Sequence, residues 1–280
     1  MSSSPLVSTE WLAAHLDAPD VRVVDASWYL PADNRDPKAE YRTAHIPGAV
    51  FFDIDEIADT TSPYPHMLPP PEKFASRVRK LGLGDGNRIV VYDGGGVRSA
   101  ARVWWMFKVF GCRDVAVLDG GFQKWRAEGR PVEDLPPMPR DRHFTARQHS
   151  DWIRSLDDMR RNVMSGEAQV VDARSPARFS GQQPEPRPGL KSGHIPGAFN
   201  VPNNALFDER GCFLPPDKLR EVFIDAGVDL SKPVITSCGS GVTAANLFLA
   251  LTLLGVRDVA LYDGSWSEWG AQDDTPVATV

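Results

Sequence analysis

Cys112-Arg113-Asp114-Val115-Ala116-Val117-Leu118-Asp119-Gly120 in the first half of the chain is answered in the second by Val256-Arg257-Asp258-Val259-Ala260-Leu261-Tyr262-Asp263-Gly264. Outward from this pair, Val23-Val24-Asp25-Ala26 recurs as Val170-Val171-Asp172-Ala173. His45-Ile46-Pro47-Gly48-Ala49 recurs unchanged as His194-Ile195-Pro196-Gly197-Ala198. Three landmarks in one order, at nearly one offset, mark a duplication, and two copies this long make tandem domains rather than a solenoid. The length of 280 residues also suits two domains. The copies are expected over 1–130 and 149–280, joined by a linker over 131–148. There Pro131, Pro136, Pro137 and Pro139 favour extended backbone.

In the second copy the apolar runs are Gln169-Val170-Val171-Asp172, Ala198-Phe199-Asn200-Val201, Pro233-Val234-Ile235-Thr236-Ser237 and Val259-Ala260-Leu261-Tyr262. They are short, bounded by turn residues and largely non-alternating, as parallel strands covered on both faces should be. Between them lie helical patterns over Pro215 to Ala226 and Val242 to Leu254. The first opens with Pro and Asp and ends before Gly227. Strand–helix alternation predicts α/β domains, each a mainly parallel sheet flanked by helices.

Composition removes several classes. Hydrophobic residues at 42%, with 23 Gly and 24 Pro, are ordinary for a globular chain with many turns. A net charge of −6 without a basic block argues against nucleic-acid binding. Cys112, Cys212 and Cys238 are too few for a disulfide framework and lack the spacing of a metal site, so no metal is expected. The absence of a basic leader and of a long apolar run leads us to expect a reduced, cytoplasmic protein without a membrane partner.

Chemistry is expected where the copies differ. Val234-Ile235-Thr236-Ser237 runs into Cys238-Gly239-Ser240-Gly241-Val242-Thr243 and a helix. The first copy has Asp93-Gly94-Gly95-Gly96 there, a scaffold without a nucleophile. A thiol between a strand end and a helix N-terminus meets inward-pointing amides and the helix dipole, and both favour the thiolate. A free cysteine is often only a small buried hydrophobe, which is the reading for Cys112 and Cys212. For Cys238 the setting favours a reactive sulfur open to solvent. Cysteine phosphatases need an arginine six positions on, where Ala244 stands, and nucleotide loops need a terminal Lys that is absent. A Cys–His acyl transferase stays open, with His45, His66 and His194 available. His45 and His194 occur in both copies and are read as structural turn residues.

At these residues the chain resembles the two-domain rhodanese family, most closely its 3-mercaptopyruvate-using branch. The resemblance rests on Cys238-Gly239-Ser240-Gly241-Val242-Thr243-Ala244, both His-Ile-Pro-Gly-Ala segments, Arg102-Val103-Trp104-Trp105-Met106-Phe107 and Asp263-Gly264-Ser265-Trp266. It implies two tandem rhodanese-like domains and sulfur transfer through a Cys238 persulfide, with release of pyruvate. Neutral Gly239 and Ser240 suit a monoanionic donor better than thiosulfate, whose users carry charged residues after the cysteine. The family's two substrate-carboxylate arginines align with Arg178 and Arg187, whose forks suit an α-keto acid. The amides of Gly239, Gly241, Val242 and Thr243 would hold the sulfur. Ser240, His66 and Asp55 align with the family's proposed proton relay, in a cleft between the domains. Asp55 alone reads equally as a helix cap before Glu56. The implied acceptor is cyanide, a small thiol or a thioredoxin-type protein, and no cofactor is implied. Thiosulfate:cyanide transfer and a non-catalytic persulfide carrier or partner-binding module remain the alternatives.

Overall fold

A computed structural model describes residues 4–280. It contains two five-stranded sheets in which every neighbouring pair is parallel. The first has β1 (Leu6–Val7), β2 (Val21–Asp25), β3 (Val50–Phe51), β4 (Arg88–Tyr92) and β5 (Val115–Leu118), in the order β1-β5-β4-β2-β3. The second has β6 (Ile153–Arg154), β7 (Gln169–Asp172), β8 (Phe199–Asn200), β9 (Val234–Ser237) and β10 (Val259–Tyr262), in the order β6-β10-β9-β7-β8. The identical order bears out the duplication and the α/β class. Central strands β4, β9 and β10 are almost wholly buried, which explains their unbroken apolar runs.

The helices follow the same logic. The segment expected to be helical over Pro215 to Ala226 is a helix at Pro216–Asp225, capped by those two residues. The one expected from Val242 is a helix at Ala244–Leu253. Ala244 through Leu251 are all buried, and the same is true of most of its counterpart Ala100–Val109. Such helices are apolar around most of their circumference, so they read as core rather than as amphipathic. Met159, Val170, Ile195, Ile235, Tyr262 and the indoles of Trp266 and Trp269 form a core in the second unit. Among the described residues no helix is long and apolar enough to cross a membrane.

Two compact units result, and each takes a short segment from the other half of the sequence. The first holds residues 4–59, 69–149 and 207–213, and the second holds 60–68, 150–206 and 214–280. The segment expected as a linker runs within the first unit, where Phe144 is buried against Phe74 and Phe107. Each adopted segment is fixed by an aspartate just past the last central strand. Asp263 accepts from the Leu68 N–H at 2.7 Å in the second unit, and Asp119 accepts from the Phe213 N–H at 2.8 Å in the first.

Candidate active site

In the second unit the chain leaves β7 toward β8 and leaves β9 toward β10, on opposite sides. The crevice at the carboxyl ends of β7 and β9 is therefore a topological switch point, where open α/β sheets bind ligands. Arg174 follows β7 and Cys238 follows β9, so their neighbourhoods meet there.

The loop after β9 is pinned from the β10 side. Ser265 Oγ accepts from the Cys238 N–H at 3.2 Å, and the Trp266 N–H donates to Cys238 O at 2.9 Å. Gly239 O accepts from both the N–H (2.9 Å) and the hydroxyl (2.6 Å) of Ser267. The loop then turns back over the sulfur. The Gly241 N–H donates to Cys238 Sγ at 3.1 Å, with Gly241 at φ +79°, a left-handed conformation that suits glycine. Val242 is buried, and Thr243 leads into the helix Ala244–Leu253 without a side-chain cap. Cys238 is only 1% exposed. The thiol expected to be open to solvent is instead tucked beneath its loop. The reason is that the turn which aims an amide at the sulfur also covers it.

Ser240 follows the turn, and its Oγ lies 2.9 Å from His66 Nδ1, both residues being buried. His66 comes from the adopted segment 60–68, which Leu68 and a Gln272-to-Tyr64 hydrogen bond of 2.7 Å fasten to the second unit. His66 has φ +62°, an uncommon conformation that aims its ring from a tight loop. Asp55 belongs to the first unit. There Asp53 caps the helix Ile54–Ile57, so Asp55 is not its cap, and Asp55 Oδ2 accepts from Trp28 Nε1 at 3.0 Å.

Arg178 lies in the last turn of the helix Pro176–Phe179 and reaches the Cys238 loop. A Cβ built on Gly239 would lie 3.0 Å from its Nη2. Its guanidinium grips Glu185 through Nε at 3.2 Å and through Nη2. Arg187 is half-buried, two residues beyond Glu185. The sequence reading passed over Arg174, which with Glu185 underlies this cluster. Arg174 pairs with Asp172 at 2.7 Å, with Glu185 at 2.7 Å and with Gly193 O at 2.8 Å, and it lies 4.2 Å from the Trp266 ring centroid. Burial opposes its charge, but Asp172 and Glu185 outweigh that and hold the guanidinium firmly protonated. The only available signal was Arg174's place, two residues past a strand end.

His45 and His194 are buried turn residues, their Nδ1 atoms against Tyr41 O (2.7 Å) and Phe179 O (2.8 Å). Burial pushes the thiols of Cys112 and Cys212 up to about 11, which suits packing. Among the described residues no group of three or more His, Cys, Asp or Glu is placed to hold a metal ion.

One loop thus carries Cys238, Gly239, Ser240 and Gly241, with the Gly241 N–H on the sulfur, Arg178 at Gly239 and His66 at Ser240. Residues 8–128 and 155–272 each match the rhodanese-like domain. A 3-mercaptopyruvate sulfurtransferase of Escherichia coli is 44% identical over the full length of both chains. A thiosulfate sulfurtransferase of Rattus norvegicus is 47% identical over 94% of this chain and 91% of its own. The crystal structure of the Escherichia coli 3-mercaptopyruvate sulfotransferase SseA superposes with a TM-score of 0.87 at 42% identity, covering 94% of this chain and 99% of that one. With a duplicated α/β sheet, a glycine-turned cysteine loop and both halves matched, this chain belongs to the rhodanese family.

Proposed function

We propose that the protein is a sulfurtransferase that takes the thiol sulfur of 3-mercaptopyruvate onto Cys238, releases pyruvate and passes the resulting sulfane sulfur to a thiol or cyanide. The observation that carries this reading is the Arg178 guanidinium against Gly239, one residue from a sulfur that accepts the Gly241 N–H. Arg178 and Arg187 grip the donor's carboxylate and keto oxygen. The Cys238 thiolate attacks the donor sulfur, an S–S bond forms and the C–S bond breaks. The electron pair leaves on the pyruvate enolate, and a proton completes pyruvate. The donor's thiol hydrogen stays on the outer persulfide sulfur or is passed through Ser240 and His66, with Asp55 the third member of the relay. Amides from Gly239 to Thr243 stabilise the sulfur charge before and after transfer.

The acceptor is a small thiol or a thioredoxin-type protein in the cytoplasm, where thiols are kept reduced. The test is pyruvate release together with intact mass after brief exposure to 3-mercaptopyruvate. The parent protein should gain about 32 Da, one sulfur, and Cys238→Ser should gain none. Equal turnover by the Ser variant would refute the nucleophile, and one equivalent of pyruvate released with the sulfur uptake, with no further release when cyanide or a thiol is added, would mark a carrier. The likeness to a thiosulfate sulfurtransferase favours thiosulfate as a second donor, separated by comparing kcat/KM for the two donors.

A further inference from the structure

The first unit contains a cavity of about 760 Å³ at the place that corresponds to the arginine cluster of the second. The correspondence is atomic. The Ser27 N–H donates to Asp25 Oδ1 at 2.9 Å, as the Arg174 N–H donates to Asp172 Oδ1 at 2.8 Å. The Phe122 N–H donates to Asp93 O as the Trp266 N–H donates to Cys238 O, both at 2.9 Å. Asp25, Ser27 and Phe122 therefore stand where Asp172, Arg174 and Trp266 stand. The carboxylate and the aromatic ring are kept, while serine replaces the guanidinium between them.

Of the second unit's two guanidiniums, one has a counterpart here. Arg35 is held by Glu40 at 2.6 Å and by the Tyr29 hydroxyl at 2.8 Å, beside Gly94, as Arg178 is held by Glu185 beside Gly239. Arg174 has none. Asp25 takes hydrogen bonds from Ser27 and Tyr92, and no lysine or arginine pairs with it among the described residues. Burial, with Asp93 nearby, pushes its carboxyl up to about 6 against those hydrogen bonds. Asp25, Ser27, Tyr41 and Phe122 line the cavity, with Arg35 at one wall spoken for by Glu40 and by the Tyr29 ring, and the exposed Arg126 at its rim 5.8 Å from the Phe122 ring centroid. A buried carboxylate facing aromatic rings is the chemistry that recognises an organic cation.

We propose that this cavity binds a small organic cation, an alkylguanidinium or primary alkylammonium, whose head group sits against Asp25 and Phe122 as Arg174 sits against Asp172 and Trp266. The site is separate from the sulfur chemistry, and its occupation does not require Cys238. Isothermal titration of the intact protein with N-ethylguanidinium, and with N-ethylurea as a neutral mimic of the same shape, tests it at fixed ionic strength. Saturable binding of the cation, at least about tenfold tighter than the urea, is expected. Asp25→Asn should weaken it by at least about tenfold. Ser27→Arg supplies the missing group from the chain itself and should abolish binding while raising Tm, with pyruvate release from 3-mercaptopyruvate unchanged. Absence of saturable binding, equal binding of the urea, or full binding by Asp25→Asn or Ser27→Arg overturns the proposal. If Ser27→Arg fails to fold, the urea comparison and Asp25→Asn still decide it.

Discussion

The loops after β4 and β9 are two versions of one device. After β9, Cys238 Sγ accepts the Gly241 N–H; after β4, Asp93 accepts the Gly95 N–H through Oδ1 at 2.8 Å and the Ala100 N–H through Oδ2 at 2.9 Å. Both loops therefore hold an acceptor at the mouth of a buried helix. Burial still pushes the Asp93 carboxyl up despite its two donors. What separates the loops is what surrounds them. Each has an arginine beside the residue after its acceptor, Arg178 at Gly239 and Arg35 at Gly94, but only the cysteine loop has a Ser240–His66 pair, where the aspartate loop has Ser27 on the Gly94 N–H. The glycine turn supplies a place for negative charge, and its neighbours decide whether the place has chemistry.

The strongest way to break the comparison is Cys238→Asp, which writes the first loop into the second. Asp93 shows that such a loop accommodates a carboxylate, so the variant should fold. Pyruvate release should fall by at least roughly 10³-fold, because no nucleophilic sulfur remains. Circular dichroism and the coupled pyruvate assay read the two halves of that expectation. A correctly folded variant that retains turnover would remove Cys238 from the mechanism.

The two acid–arginine clusters differ in depth. The Glu185 side chain is 2% exposed and serves Arg174 and Arg178, whereas the Glu40 side chain is 42% exposed beside Arg35. Glu185→Ala leaves a buried guanidinium short of a partner and should cost about 3–5 kcal/mol in urea unfolding. Glu40→Ala should cost under about 1 kcal/mol, since an exposed pair is screened by water. Similar losses from the two variants would show that depth does not distinguish the clusters.

How much of this was legible follows from what a sequence can display. Strands β7 and β10 coincide with their apolar runs because a covered parallel strand must be apolar along its length. β8 keeps only Phe199–Asn200 of the run 198–201, and the edge strands Leu6–Val7 and Ile153–Arg154 are too short to carry a pattern. Cys238 was legible because a strand, a glycine turn and a helix are local features. The arrival of His66 at Ser240 was carried only by the family resemblance. The loop 60–68 has no periodicity, and its destination is set by long-range bonds such as Leu68 to Asp263. Arg174 and Glu185 were passed over because a buried ion is spelled like a solvated one, and most charged residues are exposed.

The paired strand-end acids allow a pH experiment. Asp172 has Arg174 as a counterion, and Asp25 has none among the described residues. The Asp25 carboxyl rises from 3.8 in the open chain to about 6 when folded, through burial first. Between those values the folded state holds the extra proton, so stability falls as pH rises from about 4 to about 6 and levels off above. For this group alone the loss is about 3 kcal/mol. Urea midpoints measured across that range should decline in the parent and decline less in Asp25→Asn. An identical slope in both proteins would remove the charge of Asp25 as its source.

The finest contrast between the loops lies one residue past the acceptor. Gly94 faces the Tyr29 hydroxyl, while Gly239 faces Arg178, where an added Cβ would lie 3.0 Å from Nη2. Gly239→Ala asks the guanidinium to yield by a few tenths of an ångström, which the far end of a flexible side chain does at little cost. Gly239→Arg adds length and a second cation, so Arg178 must move by about an ångström from its place beside the loop. A displacement of that size costs up to roughly 10²-fold in rate. On the proposed role of Arg178 at the carboxylate, the expected fall in kcat/KM for 3-mercaptopyruvate is about 10–100-fold, appearing mainly in KM. Thiosulfate, a dianion, gains from the added charge, so its kcat/KM should hold or rise. Steady-state kinetics with both donors measures this crossing. Parallel losses for the two donors would mean that Gly239 matters to the loop's shape and not to the choice of donor.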